Sequence, residues 1–91
     1  MAGTIAVCDH LRSAPRDVES AVEFECEDCV REGFTAWVHL RKCLGCGHMA
    51  CCDSSPRRHA SAHFDAAGHP VMRSAEPGEE WRWCFLDSRL G

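Results

Sequence analysis

A chain of 91 residues with a formal charge of −4 is bounded to one domain (1–91) and lacks the basic excess that marks a free-standing nucleic-acid binder. Much of its 45% apolar content is Ala and Cys, so the core is thin and needs staples, for which eight cysteines are at hand. No apolar run is long enough to span a membrane, and no repeat or low-complexity tract is visible, so neither nucleic acid nor membrane is an expected partner.

Met1 to Val7 is too short an apolar run for a secretory leader and has no basic start. A cytoplasmic chain with reduced thiols is therefore expected, and two C-x-x-C pairs interspersed with His favour metal over a disulfide framework. Cys8-Asp9-His10 is a possible C-x-H half-site, and Leu11 to Asp17, with Ser13, Ala14 and Pro15, reads as loop. Val22 and Phe24 alternate with Glu23 and Glu25, the pattern of a short half-buried strand. Cys26-Glu27-Asp28-Cys29 then forms a knuckle in which two thiolates reach one metal at about 2.3 Å each. Two acidic residues between the sulfurs oppose thiolate formation in a redox dithiol, which favours the metal reading.

Glu32-Gly33 marks a turn. Phe34, Ala36, Val38 and Leu40 alternate with Thr35, Trp37, His39 and Arg41, which predicts a strand whose core face is the first set, with His39 a partly exposed residue and not a ligand. In the second knuckle, Cys43-Leu44-Gly45-Cys46-Gly47, the glycines permit positive φ and let backbone N–H groups point at sulfur. His48 to Cys51 reads as a short strand. Ser54-Ser55-Pro56 looks like a capped helix start, predicting a helix over about 56–67 that stops at Gly68. His59 and His63 stand at i and i+4 on one face of it, and His69 follows the stop; by spacing alone the first two could share one metal. Val71 lies in a short strand over 70–74, a turn falls at 76–79, and 80–86 alternate strictly, with Trp81, Trp83 and Phe85 on one face and Arg82, Cys84 and Leu86 on the other. Asp87 completes a C-x-x-D pair with Cys84, and carboxylate oxygen is an acceptable zinc ligand.

The order C-x-H, C-x-x-C, C-x-x-C-x4-C, H-x3-H-x5-H and a late W-C, running from Cys8 to about Asp87, resembles the UBP-type zinc finger, the ubiquitin-binding domain of ubiquitin-specific proteases and of a cytoplasmic histone deacetylase, here in what looks like a stand-alone bacterial form. The resemblance implies an α+β fold, a small zinc-stabilised domain with a twisted antiparallel sheet and the helix packed on it. It also implies interleaved sites: Cys26, Cys29, Cys51 and His59 on one zinc, and Cys43, Cys46, His63 and His69 on another. An outer site would take Cys8, His10 and Cys84, with Asp87 standing where three-zinc members have a further Cys. Three zinc ions are thus implied, or two if the outer site is empty.

The resemblance implies that family members that bind ubiquitin hold its free Gly-Gly tail in a deep pocket, helped by an Arg two residues after the position of Cys51. Here that residue is Asp53, and a Gly before it has become Cys52. A carboxylate there would repel a terminal carboxylate, while Trp83 and Phe85 keep aromatic walls that attract cations. The expected function is therefore a zinc-dependent protein-interaction module for a protein or peptide tail, with ubiquitin itself doubtful and no enzymatic role. The alternatives are a zinc enzyme using the outer Cys8/His10/Cys84 site, or a thiol/zinc redox sensor using Cys52.

Overall fold

The computed structural model describes residues 8–20 and 22–91. The Met1–Val7 stretch read above as no leader lies outside the described residues. Among the described residues three helices and five strands follow in the order α1 (Asp9–Ser13), α2 (Glu27–Arg31), β1 (Leu40–Cys43), β2 (Met49–Cys51), α3 (His59–Ala67), β3 (Val71–Ser74), β4 (Arg82–Cys84) and β5 (Arg89–Leu90). The strands form one antiparallel sheet in the order β2-β1-β3-β4-β5, with α3 packed against β1 and β2, α2 against β2, and α1 against β4. This is the expected α+β architecture.

Several boundaries differ from the sequence reading. Residues 11–13 of the expected 11–17 loop are helical, the end of a short helix over 9–13, because the Cys8 sulfur accepts the Leu11 N–H and caps the turn. Residues 22–25 form a bend, with Phe24 exposed and Val22 packed beside Cys26, because no neighbouring strand pairs with them. The predicted strand from Phe34 begins only at Leu40, where β2 and β3 pair with it on both sides. Upstream, the Val38 N–H goes instead to the buried Ser55 hydroxyl, Phe34 and Val38 are exposed, and Trp37 packs inward. Ser55 is thus not free to cap α3, which starts at His59 after Arg58 at φ 47°, and ends as expected at Gly68 at φ 75°. The final strand is shorter than predicted; the chain turns over 85–88 and returns as β5.

Among the described residues the apolar interior is divided into three small clusters, each with at least one cysteine. Leu40 and Met49 pack with Cys26, Cys29 and Cys51; Ala50, Ala60 and Met72 pack with Cys43; and Leu11, Leu44 and Val71 pack with Cys84, with Cys8 at the margin. The buried Arg82 ties the last cluster together, donating to the carbonyls of Leu11 at 2.8 Å and Ala14 at 3.2 Å.

Candidate metal centres and an aromatic pocket

Among the described residues, knuckles, strand ends, α1 and α3 bring Cys, His and one Asp together in three groups of four: Cys26, Cys29, Cys51 and His59; Cys43, Cys46, His63 and His69; and Cys8, His10, Cys84 and Asp87. Within each group the donor atoms lie within 4.8 Å of one another. In the first, the His59 Nδ1 is 3.4, 3.3 and 3.4 Å from the sulfurs of Cys26, Cys29 and Cys51, and the Cys29 and Cys51 sulfurs are 3.9 Å apart. One ring nitrogen has one proton or one lone pair, so it cannot hydrogen-bond three sulfurs at equal distance. These distances are instead close to the edges of a tetrahedron. Bonds of about 2.3 Å to sulfur and about 2.0 Å to nitrogen give edges of about 3.8 Å between sulfurs and about 3.5 Å from sulfur to nitrogen.

The protonation chemistry agrees. Burial, then the neighbouring Cys26 and Cys51 thiols, push Cys29 up to about 12, and burial likewise raises Cys26. Thiols packed this closely ionise only beside a compensating cation, which a divalent ion at the centre supplies. Backbone N–H groups already point at the sulfurs, from Cys29 to Cys26 at 3.4 Å and from His59 to Cys51 at 3.3 Å. Glu32 lies 3.3 Å from the outer nitrogen of His59, the kind of partner that fixes a ligating ring.

The second group is more open. Cys43 sulfur is 3.4 Å from His69 Nδ1, and Cys46 sulfur is 3.4 Å from His63 Nε2. Burial, then the rings of His48 and His69, hold His63 below the usual imidazole range, keeping it in the neutral form that ligates. Of the two knuckle glycines only Gly47 has positive φ, at 82°. Gly45 is needed for space: a Cβ there would lie 2.6 Å from the His69 Cγ, while its N–H points at the Cys43 sulfur at 3.3 Å. The spacing of His59 and His63 left a shared ion open; the structure aims them at different cysteines.

In the third group the Asp87 carboxylate is 2.9 Å from His10 Nδ1 and 3.8 Å from the Cys84 sulfur. Hydrogen bonds from His10 and then Cys8 keep Asp87 below the usual carboxylate range. The donor set suits a borderline cation, though both His10 and Asp87 are far more exposed than the first group.

A second feature lies between the start of α3, the 52–54 segment and the sheet: a pocket of about 270 Å³ lined by Asp53, Trp83 and Phe85, the residues singled out from sequence, together with Arg41, Cys52 and Trp81. Strand alternation alone puts Arg41 on the face away from the core. Register explains its place: Arg41 pairs with Ser74, whose N–H donates to the Trp81 carbonyl, and this row across the sheet lays the guanidinium 4.4 Å over the Trp81 ring. Asp53 accepts the Ser61 hydroxyl at 2.5 Å, and Phe85 stacks on Phe64. His39 is exposed and belongs to none of the three groups.

A small α+β fold whose apolar clusters each close on a four-donor Cys/His or Cys/His/Asp set has the make-up of a metal-binding module. The family model for the zinc finger in ubiquitin hydrolases and other proteins matches residues 26–89, and the chain belongs to that family. The matched segment holds both inner groups and Cys84 and Asp87, while Cys8 and His10 precede it. A protein of Rhodopseudomonas palustris solved by NMR in solution is similar at 41% identity and a TM-score of 0.82, over 96% of this chain and 82% of that one. Among curated proteins no match is found.

Proposed function

We propose that this chain is a zinc-dependent protein-interaction module that holds three zinc ions in the three groups above, with Asp87 as the fourth ligand of the outer one, and takes a peptide tail in the aromatic pocket. The zinc has a structural role: it neutralises clustered thiolates and ties the knuckles to the sheet and α3. Family membership and the tetrahedral edges around His59 support the zinc reading. The reading is of a binding module without catalysis, acting in the cytoplasm on a protein partner, not on nucleic acid or membrane.

The observation that carries the ligand assignment is the pocket with Asp53 and Trp83 on its walls and the Arg41 guanidinium over the Trp81 ring. Asp53 repels a free terminal carboxylate and favours a basic or amidated residue beside an aromatic face. Arg41 spends one N–H on the Leu40 carbonyl at 3.0 Å and keeps others to donate to the carbonyls of a tail. Ordinary capture of the ubiquitin Gly-Gly terminus is therefore not expected.

Tryptophan fluorescence titrations with basic, amidated and free Gly-Gly peptides test this. Basic or amidated peptides should bind, and Asp53→Arg should weaken the basic peptide on the order of tenfold. Tight binding of the free Gly-Gly carboxylate by the native protein, or indifference of the basic peptide to Asp53→Arg, would refute the assignment.

A further inference from the structure

We propose that His48 is a positioning residue that ties the two inner metal centres into one unit. The inference rests on the zinc reading above and adds a coupling between sites. Like His39, His48 belongs to none of the three donor groups among the described residues. Unlike His39, it touches parts of both inner centres. Its ring is stacked on the ring of His63 in the second group, with centroids 4.4 Å apart and planes 9° from parallel. Its Nε2 donates to the Asp28 carboxylate at 2.6 Å, and Asp28 sits between Cys26 and Cys29 in the first group. Its carbonyl accepts the N–H of Cys43, a ligand candidate of the second group, at 2.9 Å.

The clamp on the first knuckle has further points. The other Asp28 oxygen accepts Arg31 at 2.7 Å, and Glu27 accepts the N–H of Met49 at 2.9 Å with its other oxygen 3.7 Å from His48 Nδ1. A metal in the first centre holds Cys26 and Cys29, and with them the α2 turn that carries Glu27 and Asp28. That turn seats His48. The seated ring blocks rotation of His63 and keeps its Nε2 aimed at Cys46. Coupling of this kind is reciprocal, so occupancy of the second centre also steadies the first knuckle. Partners behind a ligand commonly set metal affinity.

Cobalt and zinc provide the test on the full chain. The first centre offers three thiolates and the second two, so cobalt in each gives different sulfur charge-transfer intensity and ligand-field bands. In the native protein both signatures should rise together during titration, and a chromogenic chelator should draw zinc from the two inner centres in one phase. In His48→Ala the second centre should release separately, on the order of tenfold faster. His48→Phe keeps a ring over His63 without the Asp28 bond, and His48→Gln keeps a donor to Asp28 without the stacked ring. Each should recover part of the coupling, and the pair carries the test if His48→Ala does not fold. Two separate phases in the native protein, or unchanged single-phase release in all three variants, would overturn the coupling alone. Failure of the native protein to bind zinc at the inner centres would overturn both the zinc reading and this inference.

Discussion

A methyl group added at Gly45 would lie 2.6 Å from the Cγ of His69, 2.8 Å from its Cβ and 2.9 Å from its Nδ1. The ring, not the backbone, would have to give way, and the ring carries the donor that faces Cys43. Gly45→Ala should therefore cost roughly 1–3 kcal/mol of stability through this overlap. Native mass spectrometry should show one zinc fewer than in the unaltered chain; full zinc content with an unchanged melting temperature would contradict the packing argument. Single residues also decide the pocket. Asp53 is displayed on its wall with Ser61 bonded to it, while Arg41 enters from a strand whose alternation alone pointed it to solvent. Ser55 shows the same dependence on a distant partner. Its hydroxyl is buried on the Val38 N–H, so a serine placed like a helix cap does not act as one.

The start of α3 is where local preference and tertiary demand conflict. Arg58 adopts left-handed φ of 47° and makes no side-chain cap, yet this kink lets the next residue, His59, turn into the Cys26/Cys29/Cys51 group. A non-glycine residue in that region costs on the order of 1 kcal/mol. Arg58→Gly should relieve it, less the entropy glycine loses on folding, for a net gain of about 0.5 kcal/mol. Thermal melting of the zinc-loaded protein should show an equal or slightly higher midpoint; a clear fall would mean that Arg58 makes contacts worth more than its backbone strain. One helical turn then does two jobs. A four-residue step rises about 6 Å along a helix, so His59 and His63 share a face yet reach different centres.

Among the described residues no apolar cluster is free of cysteine, and the sheet is built on strands of two to four residues. If zinc fills these centres, its removal leaves mutually repelling or buried thiols at the middle of each cluster, and the chain has no independent core to fall back on. Chelation should unfold the domain as a whole. Far-ultraviolet circular dichroism and tryptophan emission should change together on adding a strong zinc chelator and recover on returning zinc. A sheet signal that survives complete zinc removal would show that the clusters stand on packing alone. Among the described residues no helix is long and apolar enough to cross a membrane.

What the amino-acid sequence determined alone was the supply of donors and the local stops: C-x-x-C pairs, the i, i+4 histidines, the helix end at Gly68, a strand expected over 70–74 and found over 71–74, and the alternating late aromatics. These are short-range features, written in spacing and in the conformational freedom of glycine. The family pattern added how the donors divide, and the structure groups the same residues the same way. Strand extent was not legible, because alternation at 22–25 and 34–39 becomes sheet only beside a partner, and the pairing of β1 begins at Leu40. Nor was the place of Arg41 over Trp81, or of His48 between Asp28 and His63, since each depends on the register of segments far apart in the chain. Donor chemistry is local and survives in one dimension; which groups face each other is settled by the backbone hydrogen bonds that join distant segments, and only the folded chain makes them.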